Sequence, residues 1–225
     1  FWDNNSNDKS KKIYKKKKDS RFKYFFSKKK FNLYKARSLA VSKAKGEFIS
    51  FLDVDDWWLS TKLEKQIAKF KNQSVGFVCS NVNLFDQAKN IKKIWVNNNI
   101  NGLINLSSCI KDYKIGIVSV VFRKNLLKKL NLKFNPKYKI IGDFDLFVKI
   151  IDKTKVYYDH QPLATYRLHE NNFTKKNVST LVRELKYWLQ NNKSILKTED
   201  ISNLRKKIFF LKIKYFFETF KMLFR

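Results

Sequence analysis

The run Glu47-Phe-Ile-Ser-Phe-Leu52, which ends abruptly in Asp53-Val-Asp-Asp56, constrains the fold more than any other stretch of this chain. It is mostly apolar, too short for a helix and rich in strand formers, the pattern of a buried strand. Before it, Leu33, Ala36, Ala40, Val41 and Ala44 recur at helical spacing over Leu33 to Lys45, and Gly46 follows as a stop. After it, beyond Trp57 and Trp58, Thr61 and Glu64 make a capping-box pattern ahead of Leu63, Ile67 and Phe70, which predicts a helix from about Lys62 to Lys71. Asp53 and Asp55 lie two apart just past the strand, so in extended backbone both carboxylates point to one side. The crevice outside the carboxyl ends of strands is where open α/β sheets bind ligands, and two or three oxygens there suit Mg²⁺ or Mn²⁺ shared with phosphates.

The rest of the chain continues the alternation. Val75 to Cys79 and Ile117 to Phe122 are strand candidates, Asn125 to Leu130 a short helix, and Asp143 to Ile151 a helix with Leu146, Phe147, Ile150 and Ile151 inward. Strands follow at Lys155–Tyr158 and Leu163–Arg167, on either side of Pro162. Such alternation predicts an α/β domain with a mostly parallel sheet flanked by helices. From about Val178 the pattern is helical to the end. Phe209, Ile213, Phe216, Phe217, Phe220 and Phe224 fall on one face there, with Lys212, Lys221 and Arg225 away from it. A basic amphipathic helix of this kind can lie in an anionic membrane interface or pack on the domain or a partner chain.

Composition narrows the function classes. With 44% apolar residues in 225, the chain can build a core. Its 49 Lys and Arg against 19 Asp and Glu give +30, which predicts affinity for nucleic acid, an acidic membrane face or phosphorylated small molecules. An AT-rich genome would produce the same excess of Lys, Asn, Phe, Ile and Tyr without selecting a partner. Cys79 and Cys109 alone make no disulfide framework and no Cys-x-x-Cys metal site, which fits a reducing, cytoplasmic setting. No apolar run reaches the roughly 18–20 residues of a spanning helix. The chain opens on Phe1 without a signal peptide and reads as a fragment.

Two further clusters carry chemistry. Asp143 and Asp145, in Ile-Gly-Asp-Phe-Asp-Leu, open a predicted helix whose positive end stabilises carboxylates; either an acidic cap or a general base near a metal would sit so. Tyr166-Arg-Leu-His169-Glu-Asn-Asn-Phe-Thr174 gathers most of the remaining polar groups able to hold phosphate or metal.

Together these pieces resemble the family-2 glycosyltransferases of the GT-A fold. The family's Asp-Asn-x-Ser-x-Asp is echoed by Trp2-Asp-Asn-Asn-Ser-Asn-Asp8, its Ala-Arg segment by Ala36 to Gly46, its Leu-Asp-x-Asp-Asp-Trp by Leu52 to Trp57, and its later motifs by Gly142-Asp-Phe-Asp-Leu146 and Tyr166-Arg-Leu-His169. The resemblance implies that Asp3 contacts the nucleobase, that Arg37 lies in a segment lining the nucleotide site, and that Asp53 faces ribose or diphosphate. It implies further that Asp55, helped by His169, binds a divalent metal, Mn²⁺ or Mg²⁺, that Arg167 steadies the departing charge, and that Asp143 is the base of an inverting transfer. The implied donor is a nucleoside-diphosphate sugar, a UDP-sugar by default. The implied acceptor is a hydroxyl of a surface polysaccharide or lipid-linked glycan at the inner membrane face. Gly142 departs from the family, which usually has Glu there. Family members also begin with a strand and helix, so residues 1–175 are expected to form a domain lacking these and 176–225 a basic helical region; a complete chain of this kind is expected to have a weakened sheet and poor or absent activity, whereas for a fragment the parent protein is the enzyme. Two other readings compete: a nucleic-acid-binding protein using the Lys-rich arm at Ser10 to Lys30 and its aromatics, which explains the charge but not the ordered motifs, and a metal-dependent phosphohydrolase, which uses the same acids but leaves the Tyr166 to His169 segment idle.

Overall fold

The computed structural model describes residues 1–17, 19–97, 100–111 and 113–223, with side chains described as far as Ile213 except that of Lys175. In chain order, β1 (Trp2–Asp3), α1 (Ser10–Lys15) and β2 (Phe25–Phe26) form a small unit in which β1 and β2 pair in parallel. The long helix α2 (Leu33–Lys43) leads to β3 (Phe48–Ser50), the acidic turn, β4 (Trp57–Trp58) and α3 (Lys62–Lys69). Then come β5 (Val75–Asp86), β6 (Ile91–Ile94), β7 (Gly102–Ile104), α4 (Leu106–Lys111), a 3-10 turn at Ile117–Ser119, β8 (Val121–Arg123) and α5 (Asn125–Lys129). The last part is α6 (Gly142–Ile151), β9 (Lys155–Leu168), α7 (Phe173–Lys176), α8 (Val178–Asn191) and α9 (Thr198–Leu223).

The main sheet runs β3-β8-β5-β9-β4, with β6 added to β5 and β7 to β9. The expected α/β class with a central sheet flanked by helices holds, but the sheet is mixed. Only β5 and β9 pair in parallel, while β8 lies antiparallel between β3 and β5, and β4, β6 and β7 are antiparallel additions. β6 pairs with the end of β5 at Asn83–Asp86, whereas β7 and β4 pair with largely buried stretches of β9, at Val156–Tyr158 and Ala164–Thr165. β9 is also one strand where two were expected, because register shifts opposite Asp159–Pro162 absorb the proline, which lacks a backbone donor.

The core lies between the sheet and α6, backed by α8. Leu146, Phe147, Val148 and Ile150 are fully buried. The Phe147 ring meets that of Phe77 on β5 edge-on at 5.3 Å, and Phe144 meets Trp188 of α8 at 4.8 Å. Val182, Leu185, Trp188, Leu189, Leu204 and Ile208 belong to this same cluster, so the helical region is fixed on the domain at least as far as Ile208. Phe209 and Ile213 are exposed. Phe216, Phe217 and Phe220, with Lys221, lie beyond the described side chains, and Phe224 and Arg225 lie outside the described residues.

Helix α3 corrects two expectations. Thr61 has helical backbone and makes no cap bond, because a turn from the Leu59 carbonyl to the Lys62 amide already winds the chain there. Lys62 and Gln66, not Leu63 and Ile67, face inward. The Lys62 ammonium lies 4.3 Å from the Trp58 ring centre and donates to Ser50 Oγ at 3.0 Å, and Gln66 Nε2 donates to the Ser119 carbonyl at 2.7 Å. These bonds tie α3 to β3 and to the 3-10 turn, whose Ile117–Ser119 were expected to be strand.

Candidate functional site

β3 delivers the acidic turn to the carboxyl end of the sheet, and α2 lies alongside it. Arg37 on α2 is buried and its Nη2 donates to both oxygens of Asp53, at 2.9 and 2.7 Å. The guanidinium also lies over the rings of Tyr34 and Phe51. A buried cation keeps its charge only with such partners, and Asp53 supplies it.

The next acids meet the end of β9. Asp55 Oδ2 is 2.9 Å from His169 Nε2. His169 Nδ1 accepts from the Asn171 amide, which assigns the proton to Nε2 and makes Asp55 its acceptor. Arg167 Nε donates to the Asp55 carbonyl at 2.8 Å and its amide to Asp56 Oδ1 at 3.0 Å. Asp56 Oδ2 is buried without a hydrogen-bond partner. Burial, with Asp55 and Asp53 nearby, pushes the Asp56 carboxyl up to about 7.

Asp143 sits in the first turn of α6 and accepts from the Phe144 amide at 2.9 Å and from the Tyr34 hydroxyl at 3.2 Å. Burial raises its carboxyl above the usual range, against the pull of Arg37. Glu184 of α8 holds this corner, its carboxylate accepting from the amides of Lys139, Ile140 and Ile141. Asp145 plays a different part: it is buried, accepts from Trp188 Nε1 and pairs with Lys149.

Tyr166 joins these groups. Burial pushes its hydroxyl up to about 12, and Asp56, Asp55, Asp53 and Asp143 all lie close enough to add to that shift. Four carboxylates from two sequence motifs therefore act on one side chain, itself part of a third. Of the residues expected from sequence, Arg37, Asp53, Asp55, Asp143, Arg167 and His169 come together here. Asp3 does not join them by any hydrogen bond or ion pair among the described residues. It is buried, and its carboxylate accepts from the Ser6 amide and the Tyr24 hydroxyl. Sequence reasoning missed Tyr34, Tyr166 and Glu184 as parts of the site. Tyr166 stood in a quoted motif, whereas Tyr34 and Glu184 act across 109 and 43 residues and left no local signal.

The donor set fits a divalent ion only in part. Asp55 and His169 offer a carboxylate and an imidazole at one point, whereas Asp53 is occupied by Arg37. Among the described residues no group of three or more His, Cys, Asp or Glu side chains is placed to hold a metal. Two protein ligands suit an ion whose remaining positions are filled by phosphate and water.

The profile of glycosyl transferase family 2 matches residues 1–131, and the chain belongs to that family. It is 26% identical over 151 residues to the Escherichia coli UDP-Glc:alpha-D-GlcNAc-diphosphoundecaprenol beta-1,3-glucosyltransferase WfgD, covering 66% of this chain and 56% of the relative. It is 24% identical over 140 residues to the putative teichuronic acid biosynthesis glycosyltransferase TuaG of Bacillus subtilis, covering 62% and 54%. The chain thus spans a little over half the length of these curated relatives. Its fold matches the crystal structure of S. aureus TarS 1-349 in complex with UDP-GlcNAc with a TM-score of 0.69 at 15% identity, covering 95% of this chain and 63% of the other.

Proposed function

We propose that this chain carries the nucleotide-sugar site of an inverting glycosyltransferase that moves a sugar from a UDP-sugar to a hydroxyl of a glycan or lipid-linked acceptor. The convergence of Asp53, Asp55, Asp56 and Asp143 around Tyr166, with Arg37 beside them, carries this reading. WfgD is named for a diphosphoundecaprenol-linked acceptor and a UDP-glucose donor, which favours the same classes here. Asp143 takes the proton of the acceptor hydroxyl, and the oxygen forms a bond to the anomeric carbon. The bond from that carbon to the diphosphate breaks and the nucleoside diphosphate leaves with the electron pair. Asp55 and His169 would hold Mn²⁺ or Mg²⁺, which supplies positive charge beside the diphosphate. Ligation through Nε2 would need the other neutral tautomer, with the ring proton on Nδ1 and the bond from the Asn171 amide given up. Asp3 would serve the nucleobase through the backbone turn it holds rather than through a free carboxylate.

The test is UDP release from a panel of UDP-sugars with Mn²⁺ present. Asp143→Asn is expected to lower release at least about 100-fold, the scale of a lost general base. Release that survives in Asp143→Asn would remove Asp143 from the chemistry.

The same reading places the protein in the cytoplasm at the inner face of the membrane. Its support is the N-terminal unit. Residues 9 to 30 hold 12 Lys and Arg against one acid, Asp19, and Ile13, Phe22 and Phe26 are exposed among them. Lysines interleaved with exposed apolar side chains are the pattern of an interfacial surface for anionic lipid. No helix among the described residues is long and apolar enough to cross a membrane.

A further inference from the structure

Gly142 stands where the family motif usually has an acid, and the structure shows what occupies its space. A Cβ on Gly142 would lie 2.5 Å from Tyr34 Cγ and Cδ2 and 2.7 Å from Cδ1, far inside van der Waals contact. The ring cannot move aside easily. It is 2% exposed, stacks on Phe134 at 5.8 Å, carries the Arg37 guanidinium on its face, and its hydroxyl is bound to the Ile140 carbonyl. That anchored hydroxyl is 3.2 Å from Asp143 Oδ1.

We propose that Tyr34 is a positioning residue for Asp143, its ring seated over Gly142 and its hydroxyl aimed at the carboxylate, so that the tyrosine and the glycine work as a pair. The inference rests on the proposed role of Asp143 for its consequence, though not for its geometry. The hydroxyl's single proton is shared between the Ile140 carbonyl, the closer acceptor, and Asp143 Oδ1; the share that reaches the carboxylate orients it and favours the ionised form, the form a base needs. Burial works the other way at this site, and Arg37 and the Phe144 amide share with Tyr34 the task of opposing it. The other titratable groups that sense Asp143 are Tyr113, which precedes the 3-10 turn and also senses Tyr34, and Tyr166 on β9, on which Asp53, Asp55 and Asp56 act as well.

Two experiments read the pair. In the first, the Asp143 carboxyl is titrated by carbon-detected NMR, with the signal assigned by its loss in Asp143→Asn. Tyr34→Phe keeps the ring and removes only the hydroxyl; the Asp143 midpoint is expected to rise by about 0.5–1 unit, and the acid limb of UDP release to move up with it while KM for the donor stays unchanged. An unmoved midpoint would overturn the positioning role. In the second, thermal melts compare Gly142→Glu, Tyr34→Ala and the double variant. The double variant is expected to melt above Gly142→Glu, because removing the ring opens the space the new side chain needs. A double variant that melts no higher than Gly142→Glu would show that the ring and position 142 do not compete. Neither readout requires Asp143 to be the base, so surviving UDP release in Asp143→Asn and an unmoved midpoint in Tyr34→Phe are separate failures.

Discussion

Lys62 is fully buried, and among the described residues it makes no ion pair; Ser50 Oγ and the Trp58 ring are its partners. Burial lowers its ammonium from the usual 10.5 to about 7. The folded chain therefore releases this proton more readily than the unfolded one. Its contribution to stability is fully present above 10.5 and is lost as pH falls through about 7. Between those limits the stability of the natural chain is expected to climb with pH by at most about 1.4 kcal/mol per unit. In Lys62→Met that climb is absent, so the variant's advantage is largest near pH 6.5 and shrinks towards pH 9.5. Denaturant titrations across that range check it; parallel curves for both proteins would mean that Lys62 keeps its ordinary ionisation.

At the scale of elements, the corner that carries Asp143 depends on α8. Glu184 accepts from three consecutive amides ahead of α6, and Trp188 Nε1 donates to Asp145. Glu184→Ala is expected to cost about 2–4 kcal/mol, since each bond to a charged acceptor contributes about 1.5–3 kcal/mol and the amides would partly find water; Glu184→Gln should cost less. A melting point unchanged in Glu184→Ala would detach α8 from the site. The limits of sequence reading follow the same division. The run Glu47 to Asp56 announced β3 and the acidic turn because strand and turn chemistry are local. The motif at Tyr166 to His169 likewise placed the partners of Asp55 and Asp56. What was not legible depended on distant contacts: that Lys62 and Gln66 face inward, because Ser50 and Ser119 await them, and that β8 would insert antiparallel between β3 and β5. The identity of the residue filling Gly142's space was equally hidden, since Tyr34 lies more than a hundred positions away.

For the whole molecule, two interactions can be measured without knowing donor or acceptor. Co-sedimentation with vesicles containing anionic lipid should retain the protein at low salt and release it as salt screens the lysines, with neutral vesicles retaining little. Charge reversal of Lys11, Lys12 and Lys15 to Glu should weaken retention at least about tenfold, on the basis of about 1 kcal/mol per basic residue near such a surface. Retention that ignores salt and charge reversal would assign the surface elsewhere, and a salt-sensitive shift of nucleic acid with no vesicle binding would give the basic arm to another polyanion. The most direct test of the central claim, that the convergent carboxylates form a nucleotide and metal site, is thermal unfolding of the chain alone, with UDP plus Mn²⁺, and with the same additions to Asp55→Ala. A ligand that binds only the folded state at 100 times its Kd adds about 2.7 kcal/mol. The midpoint is expected to rise with UDP and Mn²⁺ together and to stay in place in Asp55→Ala. A sharp transition that neither addition moves, or a rise that Asp55→Ala keeps in full, would contradict the site.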